Sequence, residues 1–373
     1  MTRIAILYAD DPGGANYLAP LTSALSDIGI RVRFMVAPEL KASVHDRGFA
    51  AEVRNPDDTP ETLLAGADIL LVGTSEDRDC FAHQLTDVAR RLDLPSIGLV
   101  DMTVNAACRF RGRTDSPLRF LPSWLAVPDA TCRDAYVALG VPSDRIAVCG
   151  HPHYDAVRAR RKSLLGQDRD ALRQKIFPDA PPARPIWLFL AEGVDRLNPH
   201  LSYRSAEYTL NGRGDSDFRA CIVLEELLDA AANIAPRPWV VLRPHPKSDL
   251  ADFAPIEMEL GGVNRGGDPL EAVWAADLVI GMTTMLLLET LLLHRPHFSI
   301  IPRPMETAWL PTLVLGLTPF ATTCDGIKRL LATGANDSAD VDIALPTGAT
   351  KRVLQLVIRV FDNQKEHHDE FVR

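Results

Sequence analysis

The sequence lacks the cysteine patterns that mark a metal site or a disulfide framework. It contains six cysteines in 373 residues, and no two of them form a CxxC pair or share a metal-ligand spacing. Such a pattern is typical of reduced thiols, so we expect a cytoplasmic protein without a bound metal. The six are Cys80, Cys108, Cys132, Cys149, Cys221 and Cys324.

Long hydrophobic runs are also missing. The longest apolar segment, residues 278–293, is interrupted by Glu289 and is shorter than the ~20 residues that span a bilayer. At the amino terminus a short apolar run leads directly into Asp10 and Asp11, where a signal peptide needs a longer core. We therefore expect no transmembrane segment and no signal peptide, and any membrane contact to be peripheral.

The sequence has no excess of basic residues and none of several common catalytic motifs. Its formal net charge is -9, which argues against a nucleic-acid binder, although local basic clusters can still hold small anions. The patterns GxSxG, HExxH and GxxxxGKS are absent, as is a dinucleotide GxGxxG in the required context. Hydrolase, kinase and dehydrogenase functions are disfavoured accordingly.

The chain instead shows strands that alternate with helices along most of its length. A composition of 46% hydrophobic and 24% charged residues is ordinary for a globular protein, and 373 residues exceed what one core supports. Alternation of this kind predicts parallel sheets covered on both faces. The predicted strands cover residues 4–8, 31–36, 67–73, 95–100, 124–127, 146–148, 186–190, 239–242 and 278–280.

This pattern predicts an α/β protein with two Rossmann-like, doubly wound domains that face a cleft. A proline-rich stretch at residues 178–185 follows a basic segment and indicates a domain connection. We assign residues 1–156 to the first domain and residues 157–348 to the second. Residues 349–373 form a carboxy-terminal helix, predicted over residues 349–361, and a polar tail.

The pattern of residues 276–296 is typical of a binding site for a nucleotide diphosphate. A buried strand leads to Gly281, which permits a sharp turn, and Thr283 or Thr284 is a good cap for the following helix. The free amides and the helix dipole favour an anion there. Glu289 is the only carboxylate of an apolar helix and needs a partner. It contacts a ribose or phosphate, or else it pairs with an Arg or His in a plain core helix.

A second basic group follows the strand of residues 239–242. That strand ends at the sheet edge where Gly281 is expected, so Arg243 and His245 come close to the helix amides. An arginine, a histidine and a helix start suit a diphosphate leaving group without a divalent metal. In the alternative interpretation Arg243 pairs with Asp249 or Glu289, and His245 only turns the chain.

A long polar loop covers residues 203–219. Gly212 and Gly214 flank Arg213 in this loop, just before a predicted helix. Loops of this kind cover phosphates or gate clefts, so Arg213 is a candidate second phosphate contact. The alternative is a solvated surface loop.

Candidates for a catalytic base follow strands of the first domain. They are Asp10 and Asp11 after the first strand, Glu76 and Asp77 after the strand of residues 67–73, and Asp101 after the strand of residues 95–100. The carboxyl ends of parallel strands line the crevice of such sheets, which favours these carboxylates over acids on helix exteriors. Each of them, taken alone, is also explained as a helix cap or loop acid. Asp101, Glu76 and Asp11 are our catalytic candidates.

Two further clusters are open to more than one interpretation. Arg109, Arg111 and Arg113 follow Asp101 closely and suit an anionic acceptor or lipid headgroup, or they form a solvated basic loop. His151 and His153 lie at the presumed hinge, where a hinge contact is favoured over a metal site because no further ligands are evident.

Four short motifs resemble the two-domain glycosyltransferase fold known as GT-B, which is shared with non-hydrolysing UDP-N-acetylglucosamine epimerases. They are the glycine loop at residues 11–14, the segments of residues 139–152 and 243–246, and the segment of residues 281–289. The resemblance implies that the second domain holds an activated donor and the first an acceptor, near Gly13, Gly14 and Arg109. It also implies that the last helix crosses back to the first domain.

The pair formed by His245-Pro246 and Thr283-Thr284 resembles the HP and Ser/Thr motifs of bacterial sialyl- and polysialyltransferases and CDP-glycerol transferases. In those families the two motifs grip a cytidine nucleotide, although they favour serine where this chain has threonine. The implied co-substrate is a UDP-, CDP- or CMP-type nucleotide sugar, and no other cofactor is expected.

The expected function is transfer of a sugar or related group from that donor to a carbohydrate or other hydroxyl acceptor, in surface polysaccharide or glycoside biosynthesis. The arginine cluster near Arg109 suits an acceptor that carries negative charge. One alternative is an epimerase or hydrolase that acts on a nucleotide sugar without an acceptor. The other is a catalytically silent nucleotide-binding scaffold.

Overall fold

A computed structural model describes residues 2–194, 198–245, 248–333, 345 and 347–371, with the side chains described as far as residue 363. The chain divides into two compact units. The first contains residues 1–156 and 345–373, and the second contains residues 157–344. Pro246, the second residue of the predicted HP motif, lies outside the described residues.

The described part of the first unit contains a seven-stranded parallel sheet in the order β3-β2-β1-β4-β5-β6-β7. Its strands are β1 (Ile4–Ala9), β2 (Arg31–Val36), β3 (Glu52–Val53), β4 (Ile69–Gly73), β5 (Ser96–Leu99), β6 (Trp124–Val127) and β7 (Ile146–Val148). Its helices are α1 (Pro12–Asp27), α2 (Lys41–Asp46), α3 (Pro60–Leu64), α4 (Phe81–Arg91), α5 (Ala106–Arg109) and α6 (Ala130–Ala138).

Helices cover both faces of this sheet because its strands are apolar on both sides. Leu7 of β1 packs in a cluster with Leu18 and Leu21 of α1, whereas its neighbour Tyr8 packs in a second cluster with Leu85 of α4. Successive side chains of a strand point to opposite faces, so one aliphatic run fills two cores. This confirms the predicted doubly wound sheet.

The second unit repeats the plan with six described strands in the order β10-β9-β8-β11-β12-β13, all of them parallel. The strands are β8 (Ile186–Leu190), β9 (Trp239–Arg243), β10 (Gly262–Val263), β11 (Leu278–Gly281), β12 (His297–Ile300) and β13 (Phe320–Ala321). The helices are α7 (Pro152–Leu165), which begins in the first unit, α8 (Arg169–Ile176), α9 (Arg219–Ala231), α10 (Pro269–Ala275), α11 (Met285–Leu292), α12 (Pro311–Val314) and α13 (Cys324–Thr333).

The last helix, α14 (Ala349–Phe371), belongs to the first unit. Val353, Val357 and Phe361 lie one turn apart on its apolar face and are buried in the same core as α1. Asp155 accepts hydrogen bonds from the backbone amides of Gly348 and Thr350, which fixes the start of the helix. The helix thus returns to the amino-terminal unit, as the resemblance to GT-B proteins implied.

Short 3-10 turns complete the described structure, at Pro38–Leu40, Ser143–Arg145, Pro199–Ser202, Leu250–Glu259 and Pro304–Trp309. Across the described ranges, no helix combines the length and the apolar character needed to cross a membrane.

Candidate functional site

The carboxyl edge of the first sheet brings the predicted acids together. Strands β1, β4 and β5 are adjacent, and Asp10 follows β1, Glu76 lies three residues after β4, and Asp101 lies two residues after β5. A single buried guanidinium, that of Arg109, joins two of these acids. The edge is therefore an ionic cluster and not a row of separate loop acids.

Arg109 is the centre of this cluster. Its guanidinium donates hydrogen bonds to Asp101 Oδ1 at 2.8 Å, to Thr74 Oγ1 at 3.0 Å and to Glu76 Oε1 at 3.2 Å. A fourth hydrogen bond, 3.3 Å long, reaches the carbonyl oxygen of Val104. Only 3% of the side chain is exposed, so Arg109 is not part of a solvated loop.

The local backbone explains how Arg109 reaches the sheet edge. It is the last residue of the short helix α5, which is preceded by Asn105 in the left-handed conformation with φ 62°. Asparagine tolerates this conformation better than most residues. The Asn105 amide also donates to Glu76 Oε1 at 3.1 Å, so the start and the end of α5 are both tied to the same carboxylate.

The electrostatics of the cluster leave Asp101 a stronger base than an exposed aspartate. Burial raises the pKa of Asp101, and this effect outweighs the opposing positive charge of Arg109. Burial alone would lower the pKa of Arg109, but the carboxylates of Asp101 and Glu76 raise it. Arg109 therefore stays charged, while Asp101 is poised to take up a proton more readily than usual.

Gly13 of α1 and Gly73 of β4 allow α1, β4 and Asp101 to come this close. A Cβ atom on Gly13 would lie 2.0 Å from Asp101 Oδ2, and a Cβ atom on Gly73 would lie 2.7 Å from the Cα of Gly14. Neither position accommodates a side chain without a shift of its neighbours. The predicted glycine loop thus serves close packing between α1, β4 and Asp101.

The other acids at this edge have structural contacts. Asp10 accepts hydrogen bonds from the amides of Phe81 at 3.1 Å and Ala82 at 2.8 Å, at the start of α4, and from the Tyr8 hydroxyl at 3.0 Å. Burial raises its pKa to about 6, although those amides favour the ionised form. Asp11 occupies the position before α1 without a side-chain capping hydrogen bond.

The remaining basic and imidazole groups of the first unit lie in different surroundings. Arg113 is exposed and forms an ion pair with Asp79 at 2.5 Å, as expected for a surface loop. The ring of His151 stacks on Tyr154, with ring centroids 4.5 Å apart, and the amide of His153 donates to its Nδ1. Among the described residues, no group of three or more potential ligands could hold a metal ion.

In the second unit, the carboxyl edge brings together the ends of β9, β8 and β11, which are adjacent in the sheet. Gly281 ends β11, and a Cβ atom there would lie 3.2 Å from Leu287 and Thr284. Thr284 caps α11 through a hydrogen bond from the amide of Leu286 to its hydroxyl, as predicted. Glu289, the predicted ribose or phosphate contact, is buried on α11 with 3% exposure.

Arg243 and His245 both lie at this edge, but their contacts differ. Arg243 donates hydrogen bonds to Asn264 Oδ1 and to the carbonyl oxygens of Gly266 and Gly267, so it braces the loop after β10. His245 lies beside the backbone that follows β8, because a Cβ atom on Gly193 would be 3.2 Å from its Nδ1. The structure thus places the imidazole next to β8.

An unpredicted carboxylate occupies the centre of the edge. Glu192, two residues after β8, accepts hydrogen bonds from the Thr283 backbone amide and from the Thr283 hydroxyl at 3.1 Å. Its second partner is Arg219, the first residue of α9, at 2.5 Å. A backbone N–H, a hydroxyl and a guanidinium therefore surround one carboxylate.

Behind Glu192 the charges continue into the core. Arg219 also pairs with Glu306, and Arg303 donates to the other oxygen of Glu306 at 2.6 Å. The Arg219 and Arg303 guanidiniums both lie over the ring of Trp309. Burial would lower the pKa of Arg219, but Glu192 and Glu306 raise it. This cluster of two arginines and two glutamates is therefore neutral overall.

Arg213, the predicted second phosphate contact, lies among acids of its own unit. It forms ion pairs with Asp229 at 2.7 Å and with Glu259. Its backbone amide donates to Glu225 Oε2 at 2.6 Å. These contacts fold the 203–219 loop onto α9, and the role of Arg213 in phosphate binding stays a prediction.

Sequence reasoning missed Thr74, Glu192, Arg219, Arg303 and Glu306. Glu192 could have been found, because it follows a strand at the same edge as His245. Arg219 and Glu306 are separated by 87 residues, and Glu306 lies in a turn without a periodic pattern. No local signal links those two residues.

Comparison with known proteins indicates the fold. No protein-family model and no curated protein matches the chain. A UDP-GlcNAc 2-epimerase from Methanocaldococcus jannaschii superposes with a TM-score of 0.68 at 13% identity, over 96% of this chain and 99% of the other. One from Neisseria meningitidis, solved bound to UDP-GlcNAc, gives 0.64 at 14% identity over 96% and 100%.

The wall teichoic acid polymerase TagF, solved with CDPG, also matches. Its TM-score is 0.55 at 12% identity, over 98% of this chain and 90% of the other. The chain has the GT-B fold. The epimerases and the polymerase share this architecture along nearly their whole length, which confirms the expected fold class.

Proposed function

We propose that the protein is an enzyme that acts on a nucleotide sugar, and that it transfers the sugar or a related group to a hydroxyl acceptor. The observation that carries the proposal is the carboxyl edge of the second sheet. There a glycine turn, two threonines and His245 lie at the ends of three adjacent strands. Such an edge in an open parallel sheet is where ligands bind.

The donor's diphosphate would be bound by Thr283, Thr284 and His245, with Gly281 giving the backbone room to approach. As the bond to the sugar breaks, negative charge develops on the leaving phosphate, and amide and hydroxyl donors stabilise it. Arg243 contributes in this proposal by holding the 264–267 loop in place. Glu289 and Arg213 are proposed as further contacts of the nucleotide, which is of UDP, CDP or CMP type.

The base that accepts the proton of the acceptor hydroxyl is proposed to be Asp101. Arg109 and Thr74 hold its Oδ1, and burial raises its pKa towards the range in which a general base works near neutral pH. Glu76 and Asp11 are the next candidates. Gly13, Gly14 and Arg109 belong to the proposed acceptor side, where Arg109 orients Asp101 towards a polar acceptor in surface polysaccharide or glycoside synthesis.

Binding of the nucleotide tests the donor site directly. We expect His245→Ala to weaken nucleotide binding about tenfold or more, because it removes a polar group worth roughly 1.5 kcal/mol or more at a phosphate site. Arg243→Ala should also weaken binding, because the 264–267 loop loses the hydrogen bonds that hold it in place. Isothermal titration with UDP, CDP, CMP, GDP and TDP measures the affinities. Arg265→Ala is the control, since it removes an exposed charge from the loop that Arg243 braces. Unchanged affinity in both variants would defeat the assignment.

A nucleotide-sugar 2-epimerase is the second candidate, supported by the presence of such epimerases among the solved structures with the same fold. Both epimerases superpose on this chain with higher TM-scores than the polymerase. The two reactions differ in their need for an acceptor. Incubation with a nucleotide sugar alone gives a new epimer if the enzyme is an epimerase, whereas a transferase releases the nucleotide only when an acceptor is added. Product analysis by NMR separates the two.

A further inference from the structure

The site assigned to the leaving phosphate is already occupied by a carboxylate of the protein itself. The carboxylate of Glu192 accepts the Thr283 backbone N–H and the Thr283 hydroxyl, and it forms an ion pair with Arg219 at 2.5 Å. These are the donors that a phosphate oxygen selects at the start of a helix: an amide, a hydroxyl and a guanidinium. The site thus has the chemistry of an anion-binding site, and the protein's own carboxylate occupies it.

The geometry distinguishes Glu192 from the other carboxylate on the same arginine. The side chain of Glu192 is 20% exposed, whereas that of Glu306 is fully buried. Glu192 is followed by Gly193, which lies against His245 and allows the backbone a close approach there. Solvent therefore reaches the Glu192 carboxylate but not that of Glu306.

The balance of charge makes this exchange sensitive to a single residue. Glu192, Arg219, Glu306 and Arg303 carry two positive and two negative charges, so the cluster is neutral while Glu192 is in place. Removal of Glu192 leaves Arg219 with one carboxylate fewer in a buried position, where an unpaired charge is costly. An incoming phosphate restores the balance.

We propose that Glu192 is a built-in competitor of the substrate phosphate, which binds Thr283 and Arg219 only after it displaces this carboxylate. Glu192 lowers the affinity for a diphosphate and keeps the buried arginine paired while the site is empty. The inference rests on the proposed function for the identity of the ligand. The exchange of carboxylate for anion itself does not depend on which nucleotide binds.

The test compares Glu192→Ala with Glu306→Gln, two variants with the same change in net charge. We expect Glu192→Ala to bind inorganic pyrophosphate and nucleoside diphosphates about tenfold more tightly than the wild type, which corresponds to about 1.4 kcal/mol. Pyrophosphate should also raise its Tm more than it raises that of the wild type. Glu306→Gln leaves Glu192 on Thr283 and should show neither gain. Glu192→Gln keeps the shape of the side chain and should show a smaller gain in affinity. It takes the place of Glu192→Ala in the test if the alanine variant folds poorly.

The outcomes separate this inference from the proposed function. Equal or weaker pyrophosphate binding by both Glu192 variants would overturn it, as would an equal gain by Glu306→Gln, which would indicate a general effect of charge. If pyrophosphate binds Glu192→Ala more tightly but no nucleotide binds any form, the inference stands and the proposed function fails. If nucleotides bind the wild type but Glu192→Ala gains nothing, only the inference fails.

Discussion

Substitution of Gly13 by alanine tests the packing of Asp101 against α1. Gly13 is the second residue of α1, and a glycine-to-alanine change inside a helix ordinarily stabilises a protein by roughly 0.5–1 kcal/mol. Here the new Cβ atom would lie 2.0 Å from Asp101 Oδ2 and 3.1 Å from Asp101 Cγ. The steric and conformational effects therefore have opposite signs, and their magnitudes decide the outcome.

The steric penalty is expected to exceed the gain in helix propensity, because Asp101 cannot easily move away. Rotation of the carboxylate alone leaves Cγ in contact, and a larger movement breaks the 2.8 Å ion pair with Arg109, which is buried. Overpacking in a tight interior costs about 1–3 kcal/mol, and loss of a buried pair costs about 3–5 kcal/mol as an upper limit. We expect Gly13→Ala to destabilise the protein by about 1–3 kcal/mol.

Urea unfolding monitored by circular dichroism measures this change in the free energy of unfolding. Gly262→Ala is the matched control, because a Cβ atom there has no neighbour within 4 Å. In an Asp101→Ala background the penalty of Gly13→Ala should disappear, since the contacted atoms are gone. A Gly13→Ala protein as stable as the wild type, or a penalty that persists without Asp101, would refute the steric reasoning.

Two further predictions concern the same sheet edge. Arg109→Met should lower the free energy of unfolding by about 3–5 kcal/mol, because it leaves Asp101 and Glu76 without their buried cation. Arg109→Lys keeps the charge and should lower the free energy of unfolding less. Urea unfolding measures both changes. Asp10 should titrate near pH 6 in carbon-detected NMR. Its folded pKa lies above the ordinary 3.8, so its contribution to stability is present below pH 3.8 and is lost as the pH rises through about 6. Relative to Asp10→Asn, the wild type should therefore lose stability across this window, and a constant difference would contradict the assignment.

Sequence patterns predicted the strands well where aliphatic runs lie between clear turn signals. Trp124–Val127 and Ile186–Leu190 have the predicted bounds to the residue, since both are buried on both faces and carry no competing pattern. The last helix was predicted to end near Phe361 but continues to Phe371. Its polar final turns lack the apolar spacing on which the prediction depended.

The site was predictable only as far as strand ends determine position. That rule placed Asp101, Glu76 and His245 at the correct sheet edges. It could not predict that Arg109, assigned to a basic loop or an acceptor contact, turns inward to bind two of the acids. The partners of a buried charge are set by tertiary packing, and residues such as Arg219 and Glu306 have no common sequence pattern.

Both sheet edges pair a buried arginine with carboxylates, yet the two arrangements differ in what an incoming substrate can change. Arg109 is 3% exposed and has four acceptors, so it orients Asp101 and is not itself available to an anion. Arg219 is bound on one side by Glu306 in the core and on the other by the partly exposed Glu192. Only the second arrangement can exchange one anion for another without uncovering a buried charge. A diphosphate is therefore expected to bind where Glu192 now lies, and Asp101 to remain fixed by Arg109 while it does so.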